Sequence, residues 1–212
     1  MMKRIVVAAT AATLGLGVLA TGGGVATAAP KPPIFDAAGT VTCGSPGSGK
    51  AKISPAFTLT PGVGTRTTTS KFKTTCTGTT GNAAVTPASA KINSISLSDA
   101  AGTCITLSTS GETASDTTVH IKWKAAGGKI NPTDIHFTSI LGGTPVHGFT
   151  LPGPTGTATV TGSYAGNAAV SSVVIADTTE ALTALCTPNA KGKVKGIKKF
   201  AFADGGSLVI TP

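Results

Sequence analysis

What this chain has little of narrows its chemistry first. Charged residues make up 12% of its 212 positions and aromatics 4%, with one Trp, one Tyr and seven Phe. Few rings are therefore left for stacking sugars or bases. The only histidines are His120, His136 and His147. The eight acids (Asp36, Asp99, Glu112, Asp116, Asp134, Asp177, Glu180, Asp204) are scattered, mostly at turns and a helix start. A glycosidase pair of facing carboxylates has no local support. No G-x-S-x-G elbow occurs, because Gly162-Ser-Tyr-Ala-Gly166 carries Tyr164 where a nucleophilic serine belongs. A Ser/His/Asp triad would have to assemble from distant loops. There is no C-x-x-C pair and no His beside a Cys, which argues against zinc. No catalytic residue, cofactor or metal is expected.

What is present begins with an address. Lys3 and Arg4 precede an apolar run from Ile5 to Ala20, and small residues then lead to Ala26-Thr27-Ala28. This is a secretory signal pattern, with cleavage expected after Ala28. A cut one residue later would place Pro30 directly after the scissile bond. The run is short and broken by Gly15 and Gly17, whereas a membrane span needs about 20 apolar residues. No transmembrane segment is expected after cleavage. No Cys lies near the cut, so release is expected rather than lipid anchoring. The domain plan is a signal over 1–28, a flexible leader over 29–36 and a single β domain over 37–212. The location is secreted or extracellular, with cell-wall association as an option.

Four cysteines follow the signal: Cys43, Cys76, Cys104 and Cys186. An even number in an exported chain reads as two disulfides. Spacing alone does not choose among the connectivities. Cys43–Cys76 with Cys104–Cys186 is favoured because sequential bridges need not cross. Thr, Ser, Gly, Ala and Val dominate the composition and long helix-forming blocks are missing, which points to all-β structure. The expectation is a β-sandwich or flattened β-barrel of about ten short antiparallel strands with one short helix near 178–186.

The strands are expected at 39–43, 50–60, 66–77, 91–98, 103–108, 117–124, 134–138, 146–151, 157–164 and 169–176. Pro55 marks an edge or a bulge in the second of these. Gly44–Gly49 and Asp204-Gly-Gly read as hairpin turns, the latter between strands at 196–203 and 207–211. Val119, Ile121 and Trp123 alternate with His120, Lys122 and Lys124, the period of a strand with one buried face. Pairing it with 134–138 as a hairpin sets Val119 opposite Phe137 and Ile121 opposite Ile135. On the outer side it sets His120 opposite His136 and Lys122 opposite Asp134. In that register His120 and His136 could share a metal completed by Asp134 or His147, although two solvated residues are the plainer reading. Asp177-Thr-Thr-Glu180 is a capping box for the helix, whose apolar face carries Ala181, Leu182 and Leu185.

Two charged segments need weighing. Gly44-Ser-Pro-Gly-Ser-Gly49-Lys50 fits the first seven positions of a phosphate-binding loop. Ala51 stands where the magnesium-binding hydroxyl belongs, and the sequel is a strand rather than a helix. Lys191, Lys193, Lys195, Lys198 and Lys199 place five lysines in nine residues with no acid. Such a stretch can meet anionic polymers by simple attraction. It has no interleaved Arg or aromatic for base readout, so no nucleic acid is expected. Lysine on an edge strand can also serve only to block edge-to-edge aggregation.

The phrases GTVTC at 39–43, IKWK at 121–124, KINPT at 129–133 and TGSYAG at 161–166, with Cys186 followed by GIKKFAF at 196–202, carry a resemblance. With them the chain resembles a group of uncharacterised secreted all-β proteins of high-GC Gram-positive (actinobacterial) bacteria. The resemblance spans nearly the whole chain after the signal. It implies export and an all-β fold, and brings no catalytic residue, cofactor or ligand. The expected function is a secreted, non-enzymatic binding or structural module at or near the bacterial surface, with anionic wall polymer or glycan as partner. The alternative is a secreted hydrolase or hydrolase inhibitor whose site assembles from distant loops in a cleft.

Overall fold

The structure, a computed structural model, describes residues 33–44, 48–104, 114–138, 149–150, 158–177 and 179–212. The chain divides into Met1–Lys31, outside the described residues, and the compact unit Pro32–Pro212. In chain order the elements are β1 (Ile34–Phe35), β2 (Val41–Cys43), β3 (Ser48–Phe57), β4 (Thr65–Gly78), β5 (Thr86–Asp99), β6 (Ala114–Ala126) and β7 (Lys129–Ile130). They continue with β8 (Thr133–Phe137), β9 (Phe149–Thr150), β10 (Ala158–Gly162), β11 (Ala168–Ile175), the helix α1 (Thr179–Cys186) and β12 (Ile197–Thr211).

The fold is all-β, as the composition implies. One antiparallel sheet runs β10-β8-β6-β5-β4-β2-β12-β11-β9, with β3 pairing β4 and β12. It curls nearly into a barrel, so the flattened-barrel alternative is the one realised. Both expected disulfides are present. Cys43 lies directly opposite Cys76 across β2 and β4, and Cys104 joins the end of α1 at Cys186. Inside lie two apolar clusters. One gathers Val41, Ile92, Val119, Ile121, Ile135, Phe137, Tyr164 and Ile210. The other gathers Ala51, Ile53, Phe57, Ile197, Phe200 and Phe202 beneath Leu182 and Leu185 of α1. Phe72 touches both and meets Phe202 edge to face at 5.5 Å.

The middle of the sheet departs from the sequence expectation. β2 and β3 do not form a hairpin around Gly44–Gly49. Both run antiparallel to β4 and to β12, so they occupy successive parts of one lane between those two long strands. β12 follows the same plan: Lys199–Phe202 pair β3, and Leu208–Ile210 pair β2. Asp204-Gly205-Gly206 therefore lies within one continuous strand. It forms a bulge where the pairing with β11 shifts between Ser172 and Val174, with Gly205 at a φ of 114°. A bulge bends a strand and increases its twist, which suits the change of partner.

The β6/β8 hairpin has the expected faces in a register two residues away. Val119 faces Ile135, His120 faces Asp134, and Thr118 faces His136. A step of two preserves which side chains are buried, so alternation could not distinguish the two registers. Part of the expected leader is also structured: β1 pairs in parallel with β7, and Asn131 donates to Asp36 at 2.9 Å. Pro55 falls just beyond Ser54, the last β3 residue paired with β4, beside a register shift with β12. Residues 105–108 of the strand expected over 103–108, and 146–148 and 151 of the one expected over 146–151, lie outside the described residues.

Candidate anion-binding groove

The lysine-rich segment is drawn together by three local devices. α1 ends at Cys186, where the bridge to Cys104 anchors it. Asn189 then folds the following loop onto itself, its side-chain oxygen accepting from the Lys191 and Lys193 amides at 2.9 and 3.0 Å. Gly196 returns the chain to the sheet, donating to the Leu185 carbonyl at 2.9 Å with a φ of 69°. A Cβ there would lie 2.6 Å from the Phe57 carbonyl oxygen, so only glycine fits this approach.

The result is a groove of about 780 Å³ bordered by this loop, the end of α1 and strands β3 and β12. Lys193, Lys195, Lys198 and Lys199 line it, as do Lys50 and Lys52 from β3. Ala51, Leu185, Val194 and Phe200 supply apolar walls. Among the described residues its single carboxylate is Asp177, which accepts from the Ala201 amide at 2.9 Å. Six ammonium groups thus face one carboxylate already engaged with backbone. A slip in pairing between Ile197 and Lys199 lets two successive lysines, Lys198 and Lys199, both face solvent. Of the five lysines read from the sequence, Lys191 alone does not line the groove; it is exposed on the loop.

Lys50 and Lys52 were missed as partners of this segment. They alternate with buried Ala51 and Ile53, which places them on an outer face. Only the pairing of Lys52 with Lys199 across β3 and β12 brings them to the site. Lys50, the last residue of the phosphate-loop look-alike, faces an anion-suited groove, but from a strand and with Ala51 fully buried beside it. β11 pairs β12 only from Phe202 onward, so at Lys198 and Lys199 β12 is paired with β3 on one side only, and edge protection remains open to these two lysines alongside the groove.

The histidines sit elsewhere. His120 Nδ1 is 2.6 Å from Asp134, and His136 Nε2 is 2.9 Å from Asp116. Each imidazole thus has its own carboxylate on the exposed face of β6 and β8. Among the described residues no group of three or more His, Cys, Asp or Glu could hold a metal ion. His147 lies outside the described residues. The cleft imagined for a hydrolase would collect these groups; among the described residues the groove is lined by no histidine and one acid. Tyr164, at the false elbow, is a structural residue. Its hydroxyl donates to Thr79 at 3.1 Å, and burial pushes its pKa up to about 12. Among the described residues no helix is long and apolar enough to cross a membrane. No protein-family model matches this chain, and neither does any curated protein or solved structure.

Proposed function

We propose that this chain is an exported, non-enzymatic binding module that acts at or near the bacterial surface by holding anionic wall polymer in the lysine groove. The observation that carries this reading is the convergence of six lysines from two separate segments on one concavity with, among the described residues, a single, backbone-engaged carboxylate. A cleft lined by one sign of charge with low-dielectric walls concentrates its field on a bound counter-charge. Export is supported by the signal pattern over 1–28 and by two disulfides, which persist in oxidising compartments.

The experiment is retention of the purified protein on isolated cell walls at rising salt. Retention at low salt that falls steeply as salt rises is the expected result. A K193Q/K195Q/K199Q variant should elute at clearly lower salt. Absence of retention at low salt, or retention indifferent to these lysines, would overturn the reading.

A further inference from the structure

We infer that the groove is one end of a longer track, and that its occupant is a linear, flexible polyanion rather than a single small anion. This rests on the groove reading above and extends it across the outer face of the sheet. In an antiparallel pair, directly opposed residues point to the same side, and so do residues two apart on one strand. The register therefore places the lysines without ambiguity. Lys199 on β12 is opposite Lys52 on β3, and Lys50 is opposite Lys71 on β4. Lys73 is opposite Lys91 on β5, which is in turn opposite Lys122 on β6, with Lys124 two residues further on. All eight are exposed and share one face.

They do not scatter over that face. They descend it as a diagonal belt, moving down about one side-chain row at a time from β12 to β6. Four strand spacings of about 4.8 Å, combined with the displacement along the strands, give a belt on the order of 25 Å long. It starts in the groove, which Lys50, Lys52 and Lys199 also line. Halfway along, Lys71, Lys73, Lys91 and Asn93 border a second depression of about 270 Å³.

The belt costs the fold something. Four like-charge pairs stand directly opposite each other (Lys199/Lys52, Lys50/Lys71, Lys73/Lys91, Lys91/Lys122), an arrangement that destabilises a sheet. Among the described residues no carboxylate forms an ion pair with any of these eight lysines. The nearby Asp116 and Asp134 are engaged by His136 and His120 instead. A local rule broken repeatedly along one line, with no internal compensation, marks a functional surface. A small anion could relieve one or two of these pairs. Only a chain of negative charges following the diagonal relieves them all.

The test compares tripolyphosphate with long-chain inorganic polyphosphate as probes of the same charge chemistry and different length. Binding of the full chain is measured by calorimetry across a salt series, alongside a K71Q/K91Q/K122Q variant whose changes lie outside the groove. The expected result is tighter binding of the long probe. The variant should leave tripolyphosphate binding unchanged, weaken long-chain binding on the order of ten- to a hundredfold, and flatten its log–log salt slope by about 2. Equal affinity for both probes, or a variant that binds long polyphosphate as well as the unmodified protein, overturns the track while leaving the groove standing. Preference for phosphatidylglycerol vesicles over long polyphosphate also overturns it, in favour of a membrane surface. Failure of the groove itself has a different signature: neither probe binds at low salt.

Discussion

The guanidinium carbon of Arg66 lies 3.7 Å from the centroid of the Phe57 ring, which belongs to the second apolar cluster. Arg66 is 1% exposed. Its Nε donates to the Pro55 carbonyl at 3.2 Å, and its Nη2 donates to Ala100 and Gly102 at 2.9 and 2.7 Å. A buried cation is thus held by a ring face below and carbonyl dipoles around it. These bonds shape the turn that delivers Cys104 to α1, and the Cys104 amide itself donates to Thr58 at 2.9 Å. The groove loop hangs from the far side of that bridge.

Arg66→Met keeps an unbranched apolar stem but leaves the buried Ala100 carbonyl without this donor, along with the part-buried carbonyls of Pro55, Asp99 and Gly102. A buried acceptor left without a donor costs roughly 1–3 kcal/mol, and the water-accessible carbonyls add little, so the total loss should be about 1–3 kcal/mol. Arg66→Lys should fall between the two, since it keeps the charge and loses the planar fork. Urea unfolding midpoints measure both, and a Met variant as stable as the parent would refute this role.

Lys52→Gln should separate stability from binding. It removes one of two directly opposed ammonium groups, so stability should rise by a few tenths of a kcal/mol, more at low salt than at high. Retention on cell walls should fall in the same variant. Thermal unfolding at two ionic strengths, with the retention assay beside it, reads both effects.

Tyr164 makes the fold sensitive to alkali. The folded protein keeps the phenol protonated up to about 12, against an ordinary value of 10.0. Between those limits the unfolded chain releases the proton and the folded chain does not. The contribution is therefore whole below pH 10.0 and is lost as pH rises towards about 12. Tyr164→Phe should cost about 1 kcal/mol at neutral pH through the lost bond to Thr79, and should flatten the decline above pH 10.0. Denaturant titrations at neutral and alkaline pH give the comparison.

The two disulfides should differ in their worth. Cys104–Cys186 closes a separation of 82 residues and Cys43–Cys76 one of 33. Chain-entropy arithmetic assigns about 4.5 kcal/mol to the longer loop and about 3.7 kcal/mol to the shorter. Paired Cys→Ser variants, compared by unfolding free energy, should show that order. Loss of the longer bridge should also weaken wall retention, because it frees α1 and the groove loop from Cys104.

Much was legible in the residues themselves. Thr- and Val-rich alternation gave most strands, the Asp177-Thr-Thr-Glu180 segment marked where the helix begins although the Asp177 carboxylate binds the Ala201 amide, and an even set of cysteines gave two bridges. Alternation also told which side of each strand faces water, because side chains change face at every residue whatever the neighbour. It could not reveal which strands lie side by side. The step of two between the expected and observed β6/β8 registers, and the lane shared by β2 and β3, depend on partners far away in sequence. Asp204-Gly-Gly was misread for the same reason, since a hairpin turn and a bulge in a strand changing partners use the same local residues. The five lysines of 191–199 were visible as a run. That four of them meet Lys50 and Lys52, and that a belt continues to Lys122 and Lys124, was decided only by tertiary pairing. The sequence determined the charges and the faces they occupy; long-range hydrogen bonding between strands determined which of those charges stand together.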